Sequence, residues 1–125
     1  MKRILPLLFL YLLTASCFNQ EKNCKDFHTG TFQFETYLNG ELVTSEFIRN
    51  DSIEIEKFQG KTETSTVRWI NDCEYILRNT NPNSMAEEKA IHMKILTTTK
   101  DGYTFEYGQV GDSQKARGKV KKISD

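Results

Sequence analysis

From Asp26 to the C-terminus, apolar and polar residues trade places at every second position, in runs separated by turn-forming residues. No stretch keeps the three-and-four spacing of a long amphipathic helix. A two-residue period predicts strands with one face toward a core and one toward water. Eight such runs follow one another. The first, over 28–38, puts Phe32, Phe34, Thr36 and Leu38 on one face, and Asn39-Gly40 is a strong hairpin signal after it. The second, over 41–49, alternates Val43, Ser45 and Phe47 against Thr44, Glu46 and Ile48, and Asn50-Asp51-Ser52 turns the chain. In the third run Ile53 and Ile55 are expected to face in and Glu54 and Glu56 out, before a reversal at Gln59-Gly60.

The fourth run, over 61–70, is threonine-rich at first and then reaches Val67 and Trp69, so its late half is expected in the core with Trp69 as an anchor. The fifth carries Cys73, Tyr75 and Leu77 on one face and stops at Asn79–Asn83, where Pro82 offers no donor to a ladder. Ser84-Met85-Ala86-Glu87 has the capping-box pattern and predicts one or two helical turns ending near Ala90. The sixth run alternates Ile91, Met93 and Ile95 with His92, Lys94 and Leu96, and Lys100-Asp101-Gly102 is expected to turn it, with Gly102 able to take positive φ. Tyr103, Phe105 and Tyr107 share a face of the seventh run. Ala116, Gly118 and Val120 alternate with Lys115, Arg117, Lys119 and Lys121 in the last.

Tight turns between successive runs favour an all-β antiparallel up-and-down meander, because parallel pairing needs long crossovers. A meander of about eight strands tends to curl or close and so lose its edges. The expected fold is a lipocalin-like small barrel or a strongly curved sheet, with one short helix. An immunoglobulin-like sandwich is the alternative, and this chain lacks the long connections such a sandwich uses to cross between sheets.

The N-terminus follows a different pattern. Lys2 and Arg3 precede a nearly unbroken apolar run from Ile4 to Leu13, and the small residues Ala15 and Ser16 come just before Cys17. This is the layout of a secretory signal peptide, too short in its apolar part to span about 30 Å of hydrocarbon permanently. The ending resembles a bacterial lipobox, with Leu13 one position further out than the usual leucine. It implies removal of residues 1–16, lipidation of Cys17 and a tether over 17–25 ahead of a domain over 26–125. An ordinary secreted protein that keeps Cys17 as a thiol is the alternative. A diacylglyceryl thioether with an N-acyl chain would hold the chain to a membrane, at roughly 0.8 kcal/mol per buried methylene. Phe18 rather than an aspartate follows the cysteine, which favours the outer membrane, facing the periplasm.

Processing changes the charge. The whole chain has 17 Lys and Arg against 17 Asp and Glu, and the leader takes Lys2 and Arg3 and no acid, so the mature chain is at −2. Nothing in that balance selects a polyanionic partner. With Cys17 lipidated, Cys24 and Cys73 remain as an even pair in an oxidising compartment and read as a disulfide. Two unpaired thiols are the alternative.

Three blocks carry a resemblance. They are Asn23–Phe32 (NCKDFHTGTF), Val67–Tyr75 (VRWINDCEY) and Ile95–Tyr107 (ILTTTKDGYTFEY). The chain resembles, over nearly its whole mature length, a family of short flavobacterial lipoproteins with no established activity, whose members often carry the name DNA topoisomerase IV. The resemblance implies an envelope protein. A topoisomerase holds its tyrosine in a large multidomain frame, and DNA affinity comes from clustered Lys and Arg against phosphate. No nucleic-acid partner is expected for a small, exported, net acidic chain.

The sequence holds no nucleophile motif, phosphate-binding glycine loop or metal-ligand cluster, so no catalytic residue, metal or cofactor is nominated. Two arrangements remain as candidate partner sites. The basic face of the last run suits anionic head groups or polysaccharide, or simply an aggregation-resistant edge. If the sheet closes, Arg49, Thr36 and Ser45 could orient a small apolar or amphipathic ligand among Phe34, Phe47, Trp69, Met93 and Phe105. A pocket of about 300 Å³ or more lined by those residues would support binding, whereas a filled interior would favour an interaction or structural module with an envelope protein partner, which is the reading the sequence favours slightly.

Overall fold

In the computed structural model, residues 22–125 are described. Lys2, Arg3, the Ile4–Leu13 run and Cys17 lie outside them, as do the side chains of residues 36–38, Thr36 among them. Eight strands form a closed antiparallel barrel in chain order: β1 Gly30–Leu38, β2 Glu41–Arg49, β3 Ile53–Phe58, β4 Lys61–Asn71, β5 Glu74–Asn79, β6 Ile91–Thr98, β7 Gly102–Gln109 and β8 Ala116–Ser124. β8 returns to β1 along a ladder from Thr31 opposite Ser124 to Phe34 opposite Val120. Closure pairs what would otherwise be two exposed edges.

The turns follow local chemistry. Asn39 and Gly40 have φ of 52° and 81°, and Gln59 and Gly60 have 47° and 75°, the double positive φ that matches strand twist in a two-residue hairpin. Between β2 and β3, the Asn50 side-chain oxygen accepts from the backbone N–H of Ser52 and Ile53 at 3.0 and 2.9 Å. The helix α1, Met85–Glu88, is a single turn, shorter than the Ala90 end expected. Ser84 Oγ accepts from Glu87 N, and the Glu87 carboxylate reaches back to Asn83 N.

Gly102 does not take positive φ. It opens β7, and an added Cβ would lie 2.2 Å from the Val120 carbonyl oxygen. The glycine is required there by close approach of β8.

One end of the barrel is solid. A 3-10 turn, Cys24–Phe27, lies across it, and Cys24 and Phe27 are each 2% exposed. Cys24 is bonded to Cys73 at the start of β5, with 2.07 Å between the sulfurs. Asn23 N donates to Thr98 Oγ1 at the end of β6, and Lys122 Nζ on β8 donates to the Asp26 carbonyl. Cys24 and Lys25 therefore belong to the domain rather than to a tether. His28 ends this turn instead of lying in β1, stacks on Trp69 at 3.6 Å between centroids, and donates to the Asp72 carbonyl at 2.7 Å. Around the plug, Phe32, Phe47, Ile95, Tyr103, Phe105 and Val120 form the core. Closing a loop across 49 residues restricts the unfolded chain by up to roughly 4 kcal/mol in the chain-entropy argument.

Candidate functional site

Strand alternation puts Ser45, Phe47 and Arg49 of β2 inside the barrel, where they are 2%, 9% and 1% exposed. The tight β2–β3 turn sets Arg49 opposite Glu54 and Phe47 opposite Glu56. Opposed residues share a face, so Glu54 and Glu56 point inward. This reverses the expectation from the sequence. Ile48 and Ile55 form a cross-strand pair on the outer face instead, with Ile48 exposed. The physical reason is the buried guanidinium, which needs a counter-charge more than the core needs two further isoleucines.

Arg49 uses all five of its N–H groups. Nε donates to the His28 carbonyl at 3.2 Å, Nη1 to Glu54 Oε1 at 3.0 Å and to Tyr75 Oη at 2.7 Å, and Nη2 to Tyr103 Oη at 3.2 Å and to the Phe27 carbonyl. The rings of Phe32 and Tyr75 pack within 4.7 and 4.8 Å of the guanidinium carbon. Burial alone would lower the affinity of Arg49 for its proton, but the tyrosine oxygens and Glu54 outweigh it and hold the group above its ordinary value. Burial pushes Tyr75 and Tyr103 up as well, so both are neutral near pH 7 and Glu54 supplies the balancing charge. Burial also raises Glu54, against the pull of Arg49. The arginine is saturated by protein groups and does not line the space above it.

That space is a hollow of about 250 Å³ in the other half of the barrel. Its floor is formed by Tyr75, Tyr103 and Glu54, and its apolar wall includes Phe34, Phe47, Met93 and Phe105. Four of the six residues proposed from sequence for a ligand are thus brought together. Arg49 lies beneath the floor, and Trp69 packs at the solid end between His28 and Tyr75. Gly118 permits the wall, since a Cβ there would meet the Phe34 and Phe105 rings at 2.7 Å.

No family model, no curated protein and no solved structure matches the chain.

The polar part of the hollow is small. Among the described residues Ser45 Oγ, which is buried, has no hydrogen-bond partner. It stands near enough to Glu56 to favour that carboxylate slightly, without a properly directed bond. Burial, and then the facing Glu63, push Glu56 up. A second hollow of about 160 Å³ shares Glu54, Glu56, Leu77 and Ile91 with the first and runs out toward α1, past Glu63, Glu87 and Lys89. Among the described residues no three His, Cys, Asp or Glu side chains are gathered as metal ligands. The sequence set Tyr103 on the face of Phe105 and Tyr75 on the face of Cys73 without marking either as a site residue, and it placed Glu54 and Glu56 on the outer face. Arg49 on an inward face, one short turn from Glu54, was the available signal. The basic residues Lys115, Arg117, Lys119 and Lys121 stay on the exposed outer surface, where Arg117 meets Glu106 at 3.4 Å.

Arg49→Met strands Glu54 and is expected to cost about 3–5 kcal/mol in urea unfolding, while Arg49→Met with Glu54→Leu recovers much of that loss. Equal losses in the single and double variants would contradict the pairing. For Glu56, a carboxyl held above its unfolded value contributes its stability below the ordinary glutamate range and loses it as pH rises through the raised value. Glu56→Gln should therefore gain in Tm over the native chain between about pH 4 and about pH 7. A gain that shrinks with rising pH would contradict the sign.

Proposed function

We propose that this chain is a lipid-anchored envelope protein whose barrel binds a small amphipathic molecule at its open end. The hollow with the unpaired Ser45 hydroxyl in its wall carries the reading. A buried hydroxyl without a partner costs stability, and a bound polar group would satisfy it. A volume of about 250 Å³ lies just under the roughly 300–1,000 Å³ of drug-sized sites, so the ligand is small. Space in the interior favours binding over the interaction module that a filled core would have suggested.

The anchor is supported by the leader pattern ending at Cys17 and by the Cys24–Cys73 bond, which suits an oxidising compartment. Geometry adds an orientation. Seven residues from Cys17 to Cys24 reach at most roughly 25 Å, and Cys24 sits in the solid end. The mouth would then face away from the membrane that holds the lipid. The resemblance to short flavobacterial lipoproteins agrees with this address.

Calorimetric titration with decanol is expected to show one-to-one binding in the micromolar range. Ser45→Leu, which fills the hollow and removes an unpaired hydroxyl, should abolish that binding without lowering Tm. Failure of the native chain to bind decanol or its charged analogues would overturn the reading. Intact mass of the protein from its native membrane fraction should show a lipid-sized increment on a chain beginning at Cys17. An unprocessed or unmodified chain would refute the anchor.

A further inference from the structure

Three features meet at the mouth of the barrel. The first is the apolar wall of Phe34, Phe47, Met93 and Phe105. The second is Ser45 Oγ, on a residue 2% exposed, lining that hollow with no hydrogen-bond partner among the described residues. The third is a like-charge pair, with Glu56 of β3 directly opposite Glu63 of β4 and both lining the outer hollow. Like charges opposed across strands repel and destabilise a sheet. Lys61 and Lys89 stand at the same rim, and Glu87 adds a further acid. Among the described residues, no Lys or Arg nitrogen lies within 4.0 Å of Glu56 or Glu63. Glu54, the remaining acid lining both hollows, is already paired with Arg49.

We propose that the ligand is a cationic amphiphile, a protonated amine on a short apolar tail, with the tail against the aromatic wall and the ammonium between Glu56, Glu63 and Ser45 Oγ. An ammonium has three N–H donors and no acceptor, and these three groups offer three acceptors. Hydrogen bonds between charged partners are shorter and stronger than neutral ones, so the head group decides among tails of equal length. Burial first and the facing Glu63 second hold the Glu56 carboxyl above its usual range, and the cation relieves the second of these. An anionic amphiphile meets the opposite situation and is disfavoured by the same carboxylates.

This inference rests on the barrel being a binding site, and one set of titrations separates the two. Decylamine, decanol and decanoate share a tail and differ in head group. Near neutral pH, decylamine is expected to bind about ten-fold tighter than decanol, and decanoate more weakly than either. In Glu56→Gln with Glu63→Gln, the ratio of decylamine to decanol affinity should fall toward one. Decanol binding as tight as decylamine, or a preference for decylamine that persists in the double variant, would overturn the cationic head alone. Absence of binding by all three would overturn the binding site itself, and this inference with it.

Discussion

Arg49 donates five hydrogen bonds to five acceptors inside a barrel of about a hundred residues, and everything at the solid end is arranged around that requirement. A buried guanidinium is costly unless each N–H is met and its charge is balanced. Two backbone carbonyls come from the plug, at Phe27 and His28, so the segment that closes the barrel is also part of the arginine's shell. Two tyrosines and one carboxylate come from three different strands. The disulfide then fixes the plug to β5 independently. Losing the arginine would loosen the lid as well as expose a charge.

The same arrangement explains why the other end is hollow. Tyr75, Tyr103 and Glu54 turn their polar atoms down toward Arg49 and present the floor of the cavity from the other side. Above them the ladder between β2 and β3 runs only as far as Glu46 opposite Lys57, and the ladder between β5 and β6 ends at Leu77 opposite Ile91. Strands that part toward the mouth leave room between them. Aromatic side chains line that room without filling it, and Gly118 gives Phe34 and Phe105 the place they occupy. The polar groups left over, Ser45, Glu56 and Glu63, all lie on this side.

Much of the barrel was legible from alternation alone. The bounds of β2 and the two hairpins at Asn39-Gly40 and Gln59-Gly60 follow from local chemistry that a short window contains. The cysteine pair was legible from compartment logic, and four of the aromatic and Met wall residues from their shared faces. What failed was β3. Ranking residues by polarity puts Ile53 and Ile55 inside, but polarity is a property of one strand and register a property of two. Arg49 was already on the inward face of β2, and a turn of only three residues brings Glu54 opposite it. Gly102 was misread for a related reason. Its constraint is the approach of Val120, far along the chain, and no local window contains it.

Arg49 is a fixed, fully bonded centre rather than a free cation in the core. Nitrogen-15 NMR of the arginine side chains tests it directly. A guanidinium held by five partners rotates slowly and exchanges slowly with water, so Arg49 should give separate, protected Nη–H resonances near neutral pH while Arg68 and Arg78, on the exposed outer surface, do not. Averaged and rapidly exchanging signals for Arg49 would contradict the account, because neither the solid end nor the inward register of β3 would then have its cause.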